Sequence, residues 1–409
     1  MSMEVANRTG RYALHRAPIW SLESIAGLAA IGSFYAGEFD ALRGVLQVGA
    51  MLCVSILFAR QLSSRDRRNG PRASHGFVEF LLLVAFSGAF LSFVFSLQSD
   101  LSTRDVGVFV LQGMIAAMII LSARGSKIAF AVGAWAIPFA LADASANFAG
   151  AMGLLDIRAP ARLIDGEVVY SYPGLSGSSL GAGFVAFVAI CKLAHDAAYR
   201  RVRIGLALLA IFGILVSLQL IDARRYTGLA LIALALFARW RFFSWVGLQW
   251  VTLSVAGIFL ALTFLSGVGD ISNSLRVELL LNGISRALEN PILGMGPSYQ
   301  GLEGLNATFE DLTYAGVAES QLLDFAISYG ILSCLAFAIA VLVTLAAQDQ
   351  QRASFPAIVL TCLMAELFFG GSLSSVPGVL LFFGCLGGCL KQRIQAREAS
   401  KGSGFGPYR

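Results

Sequence analysis

Long apolar runs alternate with short polar or basic segments along nearly the whole chain. A helix rising about 1.5 Å per residue needs about 20 apolar residues to cross a hydrocarbon core of about 30 Å. Backbone polar groups inside a bilayer must be paired within the protein, which favours helices for runs of this length. The pattern predicts an all-α polytopic membrane protein with about twelve transmembrane helices, at 18–36, 42–59, 76–97, 106–122, 128–147, 176–194, 204–221, 226–238, 242–266, 318–346, 355–370 and 373–390.

The basic residues indicate which ends of the predicted spans share a membrane face. Arginine and lysine concentrate on alternate connections, in the segments 60–75, 124–127, 200–203 and 239–241, and again after residue 390. Cytoplasmic loops carry such an excess of positive charge, so we expect both termini to be cytoplasmic. Two long polar loops, at about 148–175 and 267–317, are then expected on the external face.

Composition agrees with a membrane protein and argues against other classes. The chain is 57% hydrophobic and only 13% charged, with a mean hydropathy of +0.73, and soluble domains are more polar than this. The net charge of +5 comes largely from the short basic loops, so it does not indicate a nucleic-acid partner. All six cysteines fall in apolar runs, where they predict neither disulfides nor a zinc site.

Arg224 and Arg225 stand side by side between two apolar runs, Ile204–Ile221 and Tyr226–Ala238. The second run gives only about 20 Å of helix, so both guanidinium groups are expected below one membrane face. Charge at that depth is energetically unfavourable and usually marks a substrate or ion path. The predicted topology places the pair on the external side, against the positive-inside trend; snorkelling to lipid headgroups is the alternative.

The large external loop contains a predicted helix, Asn273–Leu288, with Arg276 in its first turn. A cation in that position opposes the helix dipole, which suggests a nearby anion; a surface position on an interfacial helix is the alternative. Pro291 ends the helix, and the glycines that follow it permit a tight turn. Glu319 opens the next span, either as a helix-capping carboxylate or as a functional one.

Three motifs together resemble the superfamily of O-antigen ligases and Wzy-type polysaccharide polymerases. They are Arg276, the stretch 289–296 (Glu-Asn-Pro-Ile-Leu-Gly-Met-Gly) and a span opening that reaches Tyr329–Leu332. The arginine pair before a short span and the external loop between spans nine and ten are similar as well. The chain accordingly divides into N-terminal membrane helices (1–203), a ligase- or polymerase-like membrane region (204–390) and a basic cytoplasmic tail (391–409).

The resemblance implies an inverting glycosyltransferase of the bacterial inner membrane. A glycan carried on undecaprenyl diphosphate would pass to a sugar hydroxyl of a growing polysaccharide at the periplasmic face, with no metal and no cofactor. Membrane lipid, chain-length regulators and export proteins would be its partners. The family's arginines match Arg224 or Arg225, and Arg276, as the groups that bind the diphosphate, with Tyr226 and Tyr299 as further substrate-binding candidates.

Position 319 departs from the family pattern. Ligases carry a histidine followed by asparagine eleven residues before the glycine matched by Gly330, whereas this chain has Glu319 and Ser320 there. The departure favours a polymerase for exopolysaccharide, capsule or O-antigen over a ligase that transfers glycan to a lipid or protein acceptor. Glu319 is then the candidate base for the acceptor hydroxyl, next to arginines that stabilise the departing diphosphate.

Other functional classes fit parts of the same pattern. Many spans and an anion site also suit a transporter of lipid-linked glycans or organic anions, but here the polar residues concentrate on one face and the halves do not repeat. A scaffold subunit of an export complex is a third class. Glu303, Glu310 and Asp311 offer oxygen ligands for a divalent cation, without an Asp-x-Asp pair. Glu23 and Glu366 lie within predicted spans, which is unusual, and have no predicted role.

Overall fold

Most of the chain is described by the computed structural model. The described residues are 21–36, 40–63, 76–96, 113, 115–120, 125–156, 159–164, 167–172, 174–176, 178–199, 201–221, 223–238, 247–266, 271–296, 305–309, 312–316, 320–348, 354–368, 370, 373 and 375–402. The predicted helical class is confirmed. Within these residues, four helices are long and apolar enough to cross a membrane, and shorter apolar helices accompany them.

Most of the helices overlap predicted spans, but the last one extends to Gly402, past the predicted end at residue 390. In chain order, α1 to α13 are Leu22–Tyr35, Asp40–Ser63, Gly76–Ser96, Gly125–Ala151, Ser179–Ala198, Ile204–Leu220, Arg224–Phe237, Leu248–Ser266, Ile271–Glu289, Gln321–Tyr329, Ile331–Ala346, Phe355–Glu366 and Val376–Gly402. Residues 115–120, inside the predicted fourth span, are helical too. Helix α9 confirms the helix that was predicted in the large loop.

Serine residues explain where several of these helices begin. The side chains of Ser21, Ser178, Ser320 and Ser354 each accept a hydrogen bond from a backbone N–H three residues further on, at the starts of α1, α5, α10 and α12. Such caps satisfy one of the four N–H groups that a helix start leaves without a partner. In α12, Pro356 also occupies the first turn, where its missing N–H costs nothing.

Helix α5 lies at the centre of the bundle, because almost all of its side chains are buried among other helices. Helices α2 and α3 instead expose many large apolar side chains, as expected for surfaces that face lipid. Close helix contacts rely on glycine: a Cβ at Gly27 of α1 would lie 2.8 Å from the Ala131 carbonyl carbon of α4. Small residues permit such approaches between membrane helices.

The predicted tenth span, 318–346, is not one helix. It divides at Gly330 into α10 and α11, and Gly330 has a φ of 87° and a ψ of 150°, a conformation that is essentially restricted to glycine. Helix α10 folds back on α11, since Cys334 Sγ donates to the Leu322 carbonyl at 3.2 Å and the rings of Phe325 and Phe337 stack at 5.6 Å. Only α11 therefore continues the path of the predicted span.

Each of the two long polar loops contains a short antiparallel hairpin that the sequence pattern did not predict. Strands β1 (Ala159–Ile164) and β2 (Glu167–Ser171) form one, and β3 (Leu305–Phe309) and β4 (Leu312–Gly316) form the other. The first hairpin is followed by a 3₁₀ turn, Gly174–Ser176, before α5 begins. Both hairpins are small additions to a helical fold.

The bundle has two chemically different ends. At the arginine end, defined by Arg225, Glu366 and Ser320, the start of α7, the end of α12 and the start of α10 meet. At the opposite, histidine end, His195 on α5 packs against Phe237 at the end of α7 and Phe355 at the start of α12. Helices α7 and α12 thus run in opposite directions between the same two ends.

Candidate functional site

Arg224 and Arg225 form the first turn of α7, two residues earlier than the predicted start of that span. Their neighbour Tyr226 is buried against α5, and Gly183 of α5 makes room for its ring. A Cβ at position 183 would lie 2.5 Å from the Tyr226 Cδ2 atom. Burial of Tyr226 fixes the rotation of α7, so it also fixes the directions in which the two arginines project.

Arg225 is held by two buried oxygen-bearing side chains. Its Nη2 donates a hydrogen bond to the Tyr226 hydroxyl at 3.3 Å and lies 3.7 Å from Oε1 of Glu366. The Tyr226 hydroxyl in turn interacts with the Glu366 carboxylate. Glu366 is fully buried, whereas the Arg225 side chain is 23% exposed. One edge of the guanidinium group is therefore anchored inside the protein while part of it faces outwards.

Gly370 completes this arrangement from the connection between α12 and α13. A Cβ at position 370 would lie 2.5 Å from Arg225 Nη1, and closer still to Glu366 Oε1. The Gly370 carbonyl accepts a hydrogen bond from the backbone N–H of Gln321 at 3.1 Å. Gly370 therefore joins the arginine–glutamate pair directly to the first turn of α10.

Two helix N-termini consequently meet beside Gly370. Ser320 caps α10 and its hydroxyl also donates to the Leu367 carbonyl at 3.3 Å, while the Leu322 N–H donates to the same carbonyl at 3.0 Å. The start of α7 lies on the other side, at Arg225. A helix N-terminus carries a partial positive charge, so the start of each helix adds to the positive potential that Arg225 creates there.

The stretch 289–296 is a structural latch on the junction of α10 and α11. Met295 N–H donates to the Ile327 carbonyl at 2.7 Å, Gly296 N–H to the Ser328 carbonyl at 3.0 Å, and Ile331 N–H to the Pro291 carbonyl at 2.7 Å. Two glycines, one on each side of Met295, give the stretch the backbone conformation that this contact requires. Gly294 and Gly296 have φ of 70° and 92°, and a Cβ at Gly294 would lie 2.5 Å from the Ser328 carbonyl carbon.

The latch has a consequence for the large loop. Helix α9, which carries Arg276, ends where the latch begins, and α10 starts beside Gly370. Ser92 of α3 ties the same junction to the bundle by donating to the Ser328 carbonyl at 2.6 Å. Backbone hydrogen bonds therefore join the end of the loop helix α9 to the end of α10, and the start of α10 lies in the Arg225 region.

A second polar network supports the end of α6, immediately before the arginines. Asp143 of α4 accepts hydrogen bonds from the Tyr35 hydroxyl and from the Leu175 N–H. One helical turn further on, Asn147 donates from Nδ2 to the Ser217 hydroxyl at 2.7 Å. Asn147 is completely buried, and its Oδ1 has no hydrogen-bond partner within the described part of the chain. These contacts fix α4, the 3₁₀ turn and α6 relative to one another.

The predicted site residues divide into three groups. Arg225 and Tyr226 lie together as described, whereas Arg224, their neighbour in the same turn, is exposed. Arg276 belongs to α9, but its side chain is outside the described part. Glu319 and Tyr299 also lie outside the described residues, as do the acidic candidates for a metal site, Glu303, Glu310 and Asp311.

Glu366 is the site residue that the sequence analysis did not place. Its signal was present, because a carboxylate within a predicted membrane span is rare and usually functional or paired. The sequence offered many cations as partners for Glu366, and only the three-dimensional arrangement shows that Arg225 is one of them.

Comparison with known proteins adds no assignment: neither a protein-family model, nor a curated protein, nor a solved structure matches this chain.

Proposed function

We propose that the protein is a membrane glycosyltransferase, a polysaccharide polymerase that transfers a glycan from undecaprenyl diphosphate to a sugar hydroxyl. The observation that carries the proposal is Arg225, a partly exposed guanidinium anchored by buried Glu366 and Tyr226 where two helix N-termini meet. An arginine fixed in this way suits recognition of a diphosphate, since its planar fork matches phosphate oxygens and it stays charged at any relevant pH.

The depth of Arg225 suits a lipid-linked donor. Helix α7 has 14 residues and α12 has 12, which correspond to about 21 Å and about 18 Å of helix. The hydrocarbon core is about 30 Å thick. Both helices are thus shorter than the core, which supports a position of Arg225 below the membrane face, where the diphosphate of a lipid-linked donor would meet it without leaving the membrane.

The reaction needs charge stabilisation and proton removal. The bond between the anomeric carbon and the diphosphate oxygen breaks, and the acceptor oxygen forms a new bond to that carbon from the opposite face. Arg225, with Arg224 and Arg276 as further cations, would stabilise the charge that develops on the departing lipid diphosphate. Glu319, directly before the Ser320 cap, would take the acceptor's proton.

The decisive experiment supplies purified protein in lipid nanodiscs with a synthetic undecaprenyl-diphosphate-linked repeat unit. Chain growth, seen as a ladder of products by mass spectrometry, is expected for the wild type. Arg225→Ala should abolish it, whereas Arg43→Ala, an exposed arginine on the first turn of α2, serves as the matched control. A single transfer to a lipid or protein acceptor would instead identify a ligase, and movement of the donor across the bilayer without a new glycosidic bond would identify a transporter.

A further inference from the structure

Glu366 is an ionisable group in one of the most protected positions of the described chain. It is the last residue of α12, a helix in which every residue is buried. Its own side chain has no exposed surface. A carboxylate at such a site is retained only when its partners compensate for the loss of water. A ligand-binding role by direct contact is unfavourable, because Glu366 is covered and has the same sign of charge as a phosphate.

Two partners of the Glu366 carboxylate, Arg225 and Tyr226, belong to the first turn of α7. Its Oε1 is 3.7 Å from Arg225 Nη2, and its carboxylate interacts with the hydroxyl of Tyr226, which accepts a hydrogen bond from the same Nη2 atom. Gly370 leaves the space in which the carboxylate and the guanidinium approach each other. Of these three side chains, Arg225 is partly exposed, whereas Tyr226 and Glu366 are buried.

The separation between Arg225 and Glu366 bears on the function of the pair. At 3.7 Å the atoms attract each other as charges, but the distance is too long for a strong charge-assisted hydrogen bond. The carboxylate therefore directs the guanidinium without forming the bidentate pair that would occupy both of its terminal nitrogens. This geometry suits a residue that orients an arginine for another anion.

We infer that Glu366 is a positioning residue, which together with Tyr226 fixes the Arg225 guanidinium for a phosphate-bearing lipid. The inference rests on the proposed function for the identity of the reaction, and on the geometry for the role of Glu366. It assigns opposite energetic effects to the two members of the ion pair. Arg225 attracts the anionic ligand, whereas Glu366 weakly repels it and improves the geometry of the bound state.

If Glu366 is a positioning residue, its replacement should reduce turnover much more than it reduces the affinity for the donor. Glu366→Gln keeps the size of the side chain and removes its charge, so donor affinity should stay within threefold of the wild type or become tighter. Turnover should fall at least tenfold, because the guanidinium loses its orientation when the transition-state charge develops. Arg225→Ala should instead weaken binding at least tenfold as well as reduce turnover.

Binding can be measured by isothermal titration calorimetry on full-length protein in nanodiscs, with geranylgeranyl diphosphate and geranylgeranyl monophosphate as probes. A fixed guanidinium should favour the diphosphate, and Glu366→Gln should reduce the ratio of the two dissociation constants at least threefold. The inference is overturned if Glu366→Gln leaves both turnover and this ratio unchanged, or if it weakens diphosphate binding as much as Arg225→Ala does.

A second variant tests the inference independently of Glu366→Gln, and the probe ratio separates it from the proposed function. Tyr226→Phe removes only the hydroxyl and should shift the same ratio in the same direction; an unchanged ratio in a folded Tyr226→Phe protein contradicts the inference even if Glu366→Gln does not fold. Failure of the wild type to extend a glycan would overturn the proposed function alone. The probe ratio would still decide the role of Glu366, since it requires no turnover.

Discussion

Gly330 offers the sharpest test of the latch between the large loop and the bundle. Replacement by alanine would place a Cβ 2.5 Å from the Ile292 carbonyl carbon, and closer still to its oxygen. The neighbouring atoms belong to backbone, so they cannot move aside as a flexible side chain would. The substitution also puts an L-residue at a φ of 87° and a ψ of 150°. We therefore expect Gly330→Ala to separate the latch from the α10–α11 junction.

The magnitude follows from two contributions. Holding a non-glycine residue in this backbone region costs about 1–3 kcal/mol. Displacing Pro291 weakens its hydrogen bond from Ile331 N–H, now 2.7 Å long, and a backbone hydrogen bond contributes about 0.5–1.5 kcal/mol. Together these predict a loss of about 1.5–4.5 kcal/mol. The matched control is Gly257→Ala on α8, where a Cβ meets nothing within 4 Å and helix propensity predicts a gain of up to about 1 kcal/mol.

Thermal and denaturant unfolding of purified protein in detergent would measure both variants. Hydrogen–deuterium exchange would locate the effect, with faster exchange at the N–H groups of Met295, Gly296 and Ile331 and unchanged exchange in the central helix α5. The latch interpretation is refuted if Gly330→Ala unfolds at the wild-type midpoint, or if exchange at those three N–H groups does not change.

Three further predictions concern the site and its support. Arg225→Lys should lower polymer yield at least tenfold in a complemented deletion strain at equal protein level, because buried Glu366 and Tyr226 hold its guanidinium group. Arg224→Lys should lower the yield less, because the Arg224 side chain is exposed; equal losses would contradict this. Glu319→Gln should abolish polymer while the protein stays in the membrane, and near wild-type chain lengths would exclude its role as base. Ser217→Ala should destabilise the protein by about 1–3 kcal/mol in denaturant unfolding, because it leaves buried Asn147 without its acceptor; a loss below about 0.5 kcal/mol would show that the amide finds another partner.

The helical fold was predictable because a bilayer imposes one dominant pattern on the sequence. Runs of apolar residues located α1, α3 and α6 to within a few residues, since each run ends where charge begins. The break at Gly330 was not predictable in the same way. The polar residues before it, such as Gln321 and Asp324, were interpreted as the opening of one continuous span, so the pattern did not show that α10 folds back on α11. The latch that requires this break involves backbone groups from a distant loop.

The candidate site shows the same division between local and long-range information. Arg225 was predictable because a charge beside a short apolar run is visible in the sequence itself. Its distinction from Arg224 depends on the rotation of α7, which is set by the packing of Tyr226 against Gly183 on another helix. The partnership with Glu366 joins residues 141 positions apart, and no local pattern specifies which of many arginines a buried carboxylate meets. The hairpins were missed because their short strands lie in polar loops without clear alternation.

The opposite ends of α7 and α12 bear on the choice between an enzyme and a transporter. At the histidine end, the buried side chains of Lys192 and Asp196 form a salt bridge, and His195 lies 3.1 Å from Asp196 among the rings of Phe237 and Phe355. Both charges belong to α5, and the rings of Phe237 and Phe355 at the ends of α7 and α12 pack against His195, so opening this end would expose aromatic side chains beside a buried ion pair. A transporter must open both ends of its substrate path in turn. The same two helices are thus covered by packed aromatic rings at one end and carry the partly exposed Arg225 at the other, an asymmetry that supports the proposal of an enzyme acting at one face over that of a transporter.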